Sequence, residues 1–469
     1  MSLWNKLIWC IFQLRPACSR KLTFLNMVFL LLGFILRNDV VGVTSMIRGM
    51  HLKATVYRAL VRTLNGGGIS LEKLQFSWCS LALKIFSKQI FRCNGRLVLL
   101  GDGLKIPKEG RKIPAVKSQH QESSNNSKPE FIMGHFFQTV ALLTTGFGRA
   151  FATPLASRIH DGIRYTTRDR RTVIDKYLSL LKQLSLGSFY LVVDCYYCTN
   201  KIARSLVAYR SHLVSRVKTN AVACLEVEMV KIKKRGRPKK YGKSIKLRAL
   251  FDTEKLIPTN AFIYGENRDF KYWSRDLVWP KYGGLVRYVG VLLPNRSKAV
   301  FVTTDLTLEP LKLIELYSLR MKIELSYKVA IQNIGTYAYH LWSKPMDKIK
   351  RHSGVQYVHR KTKEYRNAVT RKIEAIEIFV LIGSIAQGLL QYLALTETTV
   401  VWQTLNTYFR TLNQKSAPTE EIVREALKSS YLKYLVVSKK PAILRKFFEN
   451  CIDQKQINSR YGPIMKKVA

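Results

Sequence analysis

Two short apolar runs, each closed by an aspartate, constrain this chain most. LVLLG follows Arg96 and ends at Asp102; FYLVV follows Ser188 and ends at Asp194. Short apolar runs bounded by polar residues read as strands buried on both faces. The aspartates then stand where two buried strands emerge at the edge of a sheet.

A third stretch, TLEPLKLIELYSLRMKIELSYKVAI, runs from Thr307 to Ile331. It reads as one long helix, with Thr307 as N-cap, Glu309 and Pro310 in the first turn, and Leu316, Leu319, Ile323 and Ala330 at helical spacing. Residues three and four apart are neighbours, so Tyr317, Arg320, Glu324 and Lys328 share a face. Alone, that face is an ordinary solvated charge stripe. Joined to two strand-end aspartates, Glu324 completes the carboxylate set of a two-metal phosphodiester site. That chemistry uses two cations about 4 Å apart, on the attacking and leaving oxygens, and hard Mg2+ takes carboxylate ligands.

The charge indicates the partner. Lys and Arg total 78 against 31 Asp and Glu, a formal +47. These residues are spread from end to end, so the folded body is positive and calls for a polyanion. A packaging protein would share the charge, but not the 11% aromatic content or the buried-strand runs. The eight cysteines form no spaced framework, and the lone CxxC of Cys195 and Cys198 reads as reduced cytosolic thiols. Leu22–Leu36 is short for a membrane span and holds Asn26; Ile373–Leu395 is interrupted by Glu374, Glu377, Gln387 and Gln391. Both are expected as buried helices of a cytoplasmic protein with no membrane partner.

Length and 47% hydrophobic content allow two or more domains. Residues 1–92 read as a helical N-terminal domain with Arg48, His51, Lys53, Arg58 and Arg62 expected on DNA. Residues 93–345 read as an α/β domain. A long polar loop follows Asp102, then come strands Phe131–Leu143 and Gly148–His160 and a helix, Thr167–Leu184, opened by Arg168, Arg170 and Arg171. The strand to Asp194, a helix at 201–209 and a strand at Ser211–Val217 follow. Hairpins and then β-α-β units predict a mixed sheet flanked by helices. Residues 219–285 read as a β-rich insertion carrying Trp273, Trp279 and the run KIKKRGRPKKYGK. Within that run Arg235-Gly-Arg237-Pro has the core of a minor-groove hook, its extended backbone letting both arginines reach along the groove. Residues 346–469 read as a basic, helical C-terminal region.

Other chemistry finds little support. No GxxxxGK[ST] phosphate loop and no G-x-S-x-G elbow is present. The eight histidines are scattered, with His135 and His340 expected as core or supporting residues. Among competing acids, Asp305 suits a cap before the helix, Asp161-Gly162 a turn, and Glu122 the polar loop.

Asp102 in LLGDG, Asp194 in LVVDCYYC and the Tyr317-x2-Arg320-x3-Glu324 spacing together resemble the DDE transposases of bacterial insertion sequences. More narrowly, they resemble the branch with a β-rich insertion between the second Asp and the Glu. The resemblance covers roughly residues 95–345. It implies a ribonuclease H-like core and an Asp102-Asp194-Glu324 triad holding two Mg2+, for which Mn2+ substitutes. It also implies cleavage and strand transfer of double-stranded DNA, at element ends and target, by a synaptic homodimer in the bacterial cytoplasm at the nucleoid. Tyr317 and Arg320 would bind the DNA end, and Trp273 or Trp279 would stack a flipped base. The family's signature closes with Lys seven residues after Glu. Here that position is Ile331, and Lys328 on nearly the same face is the candidate substitute. Two rivals remain: a structure-specific nuclease that cuts without joining, and an inactive relative that only binds DNA.

Overall fold

The computed structural model describes residues 3–121, 129–227, 239–405, 412–437 and 441–461. The N-terminal part is helical. In α1 (Lys21–Leu36) every residue from Phe24 onward is buried, and the amide of Asn26 donates to Thr63 Oγ1 at 2.9 Å. α2 (Val56–Asn65) turns Val56, Leu60 and Leu64 inward, leaving Arg58 and Arg62 exposed. His51 is buried, and Arg48 pairs with Asp39 at 2.6 Å. The expected basic face is therefore divided. α3 (Leu71–Ile85) starts at Ser70, whose hydroxyl accepts the Lys73 N–H.

One mixed sheet carries the rest. Its left half is β1 (Arg96–Pro107), β2 (Lys117–His120), β3 (Phe131–Gly146) and β4 (Arg149–Ile159). β5 (Phe189–Val193) and β6 (His212–Arg216) follow. β1 pairs antiparallel with β3 and parallel with β5; β3 pairs antiparallel with β4, and β5 parallel with β6. The order β4-β3-β1-β5-β6, three antiparallel strands and then two parallel ones, is ribonuclease H-like. Alternation along β1 explains its unbroken apolar run. Leu97 and Leu99 face one core with Tyr177 and Leu180; Val98 and Leu100 face another with Leu313 and Leu316. Both faces are covered, as central parallel strands require.

The long loop expected after Asp102 is partly ordered strand. β1 continues to Pro107, and β2 returns along the start of β3. Glu122 lies outside the described residues. Helix α4 (Val173–Gln183) opens with a capping box between Thr172 and Asp175. Arg168, Arg170 and Arg171 consequently lie before the helix rather than within it. α5 (Asn200–Ala208) crosses from β5 to β6.

The insertion extends the same sheet. β7 (Ile257–Ile263) and β8 (Glu266–Trp279) form a hairpin, and β8 pairs with β9 (Gly284–Leu292). β9 pairs with β10 (Lys298–Thr303), which closes onto β6. Arg235 and Arg237 of the proposed hook lie outside the described residues.

Past β10 the expected single helix is two, α6 (Pro310–Ser318) and α7 (Met321–Val329), followed by a π-turn over Ala330–Ile334. Short-range bonds cause the break: Arg320 N–H reaches Tyr317 O and Ile323 N–H reaches Arg320 O. Thr307 does not cap; its hydroxyl and N–H both bind Asp305, and Glu309 holds the cap position.

α8 (Lys363–Thr396) is apolar and long enough to cross a membrane by length and composition, yet 94% of its apolar window is buried within the protein. Three of the polar residues that interrupt it have hydrogen-bond partners. Glu377 accepts the Ile159 N–H at 2.8 Å, Gln387 donates to Ser326 of α7, and Gln391 donates to Glu420. α9 (Glu420–Val437) and α10 (Ala442–Cys451) close the core against the N-terminal helices. Trp4 stacks on Tyr434 at 4.5 Å and Phe29 meets Phe448 at 5.0 Å. The N- and C-terminal regions and the near face of the sheet thus share one hydrophobic core.

Candidate active site

Register brings the two aspartates together. Gly101 and Val193 are the last partners of the parallel β1–β5 ladder, so Asp102 and Asp194 follow side by side at the strands' C-terminal ends. In open sheets with parallel strands, that edge is where ligands bind. Val193 is also level with Ser215 on β6, which places Arg216 next in the row. Phe301, the register partner of Arg216, packs its ring 4.6 Å from Tyr317. Arg216 is a site residue the sequence reading passed over; only its place at a strand end could have signalled it.

Glycines allow Asp102 its setting. A Cβ at Gly101 would lie 2.1 Å from Tyr177 Oη, and one at Gly103 would lie 2.7 Å from Phe136 Cζ and 3.0 Å from Tyr197 Oη. The GDG motif was the available signal for this close packing. Around the aspartate, Gly103 N–H donates to Oδ1 at 2.8 Å and Tyr327 Oη donates to the backbone carbonyl at 3.1 Å. Asp194 accepts the Tyr196 N–H at 3.0 Å, and its carbonyl accepts the Ser215 hydroxyl at 2.9 Å.

Arg320 joins helix to sheet. It donates to Asp102 Oδ2 at 3.3 Å and also to Glu324 one turn along. Burial pushes the Asp102 carboxyl up to about 6. Arg320 and the Gly103 N–H oppose that rise; Asp194 and Glu324 add to it. Desolvation thus outweighs the ion pair. All three predicted carboxylates therefore share one electrostatic neighbourhood. The closed triad expected from the sequence is not assembled, however. Among the described residues no group of three or more His, Cys, Asp or Glu is placed to hold a metal ion, and Glu324 is paired with Arg320. The Glu324 side chain is 52% exposed and can turn. The donor types, two strand-end aspartates and a glutamate on the adjoining helix, are the hard carboxylate oxygens that Mg2+ takes.

The other predicted residues divide. Tyr317 is mostly buried, with the Arg320 guanidinium 6.0 Å from its ring. Lys328 and Ile331 are exposed beyond Glu324. Trp273 requires correction: only 1% exposed, it packs against Phe251 and under Gly290, where no base can stack. Trp279 is half-buried against Tyr282. The insertion aromatic that does approach the site is Tyr264, in the β7–β8 turn. The charges of Arg320, Arg216 and Arg268 act on its hydroxyl, and Arg268 lies 5.6 Å from its ring.

Competing acids have structural partners. Asp305 is buried and binds Tyr190 and Thr307, with Arg96 at 3.7 Å. Asp161 caps its own turn through Gly162 N–H and pairs with Lys117 at 2.5 Å. Burial pushes the Cys198 thiol up to about 12. His135 is buried between Tyr339 Oη and Pro114 O, at 2.5 and 2.7 Å. His340 is instead exposed.

Residues 149–334 match the family model described as "Transposase DDE domain", a span that includes Asp194 and Glu324 and begins after Asp102. The chain is also similar to a solved structure, the cryo-EM structure of the piggyBac transposase synaptic complex with hairpin DNA. That similarity covers 92% of this chain and 75% of that one, at 11% identity and a TM-score of 0.35. No curated protein matches the chain.

Proposed function

We propose, from the match of residues 149–334 to the family model described as "Transposase DDE domain", that this protein cleaves and transfers DNA strands at the ends of a bacterial insertion sequence. The observation that carries this reading is the pairing of Asp102 and Asp194 at adjacent strand ends, with Glu324 linked to Asp102 through Arg320. Asp102, Asp194 and Glu324 would hold two Mg2+ or Mn2+ ions, whose chemistry is to activate the attacking oxygen and stabilise the leaving one.

The chain's own groups set up the rest. Glu324 turns from Arg320 toward the aspartates. The released Arg320, with Tyr317 behind it and Arg216 level with Asp194, meets the phosphates of the DNA end by charge-assisted hydrogen bonds. Lys328, exposed one turn past Glu324, takes a further phosphate in place of the lysine that Ile331 replaces. The +47 charge supplies sequence-independent affinity for double-stranded DNA. Two ends must be brought together, so the working form is a homodimer, acting at the nucleoid in the cytoplasm.

The test is Asp102→Asn, Asp194→Asn and Glu324→Gln on DNA from the element's ends. Each should lose cleavage and keep DNA binding. Cleavage retained by either aspartate variant overturns the assignment. The rival reading, a DNA-binding relative without activity, draws on Ile331 and predicts binding without cleavage by the wild type.

A further inference from the structure

A groove of about 300 Å3 includes both aspartates in its lining, and none of that lining comes from α6 or α7. One wall is β1 beyond Asp102, with Gly103 and Lys105; another is β2, with Lys117 and His120; Phe136 and Tyr196 supply aromatic surface. Its volume is at the small end for ligand sites, room for about one nucleotide.

Two lysines, Lys105 and Lys117, share the groove with Asp102, Asp161 and Asp194, and Phe136, the register partner of Lys105, and Tyr196 are among its aromatic members. Lys105 is partly exposed, and its ammonium group donates to His120 O at 2.6 Å, reaching past the start of β3, which lies between β1 and β2. Lys117, its side chain 20% exposed, pairs with Asp161 at 2.5 Å. His120 lies 3.6 Å from Glu130 and packs edge-on against Phe131. Tyr196 is 44% exposed at the tip of the turn that follows Asp194. Phosphate-binding cations beside a solvent-facing aromatic are the elements of single-strand binding, where the backbone follows charge and the base lies on a ring.

A strand whose phosphate lies on Asp102 and Asp194 extends in two directions. One passes the Arg320, Tyr317 and Tyr264 side. The other enters this groove. We propose that the groove is a nucleotide subsite for the strand flanking the cleavage position, with Lys105 and Lys117 on its first phosphate and Tyr196 against its base. This assignment rests on the reading above, in which Tyr317 and Arg320 face the element end. Lys117 exchanges its Asp161 partner for the phosphate, so Asp161 acts as the placeholder anion of the unliganded groove.

The test compares two duplexes made from the sequence bordering the gene. One ends at the cleavage position; the other carries five further flanking nucleotides. Lys105→Gln, Lys117→Gln and Tyr196→Ala should each weaken binding of the longer duplex roughly 3- to 10-fold, each lysine variant lowering the salt slope by about 1. Binding of the shorter duplex should match wild type, which also shows that the variants fold. Lys117→Arg should restore most of the loss. Equal affinity of all proteins for the longer duplex overturns the subsite, as does a loss that persists on the shorter one. Wild-type protein that binds neither duplex overturns instead the transposase reading on which the proposal stands.

Discussion

The guanidinium of Arg320 lies 3.3 Å from the carboxylate of Asp102, joining two residues 218 positions apart in sequence. The same group holds Glu324. A cation between two members of the candidate triad balances charge that burial would otherwise leave uncompensated. Arg320→Gln should therefore loosen the helix–sheet junction and free Glu324. Mg2+ affinity without DNA, measured by calorimetry, should rise in this variant while affinity for the DNA end falls. Unchanged Mg2+ affinity would show that Arg320 does not compete with the metal.

Asp102 should leave a signature in stability against pH. Its carboxyl rises from 3.8 when unfolded to about 6 when folded, so the native state binds more protons between those values. Stability is then favoured below pH 3.8 and lost as pH rises to about 6. The full effect is about 3 kcal/mol at 1.36 kcal/mol per unit, an upper bound for a partly solvated side chain. Asp102→Asn should be more stable than wild type at pH 7.5, with the difference closing near pH 4 in urea titrations. Added Mg2+ should stabilise wild type and not the variant.

Gly101 is set between Tyr177 and Val193, with no room for a methyl group. Gly101→Ala should cost roughly 1–3 kcal/mol through overpacking, and should displace Asp102 enough to lower cleavage. Tyr177→Phe removes the oxygen 2.1 Å from the added carbon, so the double variant should recover part of the stability. Additive losses would show that the clash lies elsewhere.

Trp273 should behave as a core residue and not as a stacking one. Trp273 fills the insertion's core, and Trp273→Ala should cost about 3–5 kcal/mol while leaving the pattern of DNA cleavage unchanged. Tyr264→Ala, on the site side of the hairpin, should be nearly neutral for stability and should lower cleavage. A normal melting temperature for Trp273→Ala would contradict this packing.

Much of this architecture was legible in sequence because it rests on local, strongly patterned signals. The apolar runs before Asp102 and Asp194 announced strands covered on both faces, and register then did the rest. The glutamate stretch was legible as helix but not as two, since the break at Leu319–Arg320 follows from short-range turns around the Arg320 ion pairs, which no periodicity records. Trp273 was misread because burial in a β-rich insertion depends on which strands flank it. Gly290 opposite, which leaves space for the indole, became meaningful only with β8 paired to β9. Arg216 and Tyr264 join the site through sheet register and a hairpin turn. Neither is marked by spacing.

The most direct test incubates purified wild-type and Asp102→Asn protein with end-labelled DNA from the element's own ends, in Mg2+ and in EDTA. Metal-dependent cuts at the ends and joined products from the wild type alone are the predicted result. Cutting by Asp102→Asn, or by wild type in EDTA, would contradict the carboxylate site at the centre of this account.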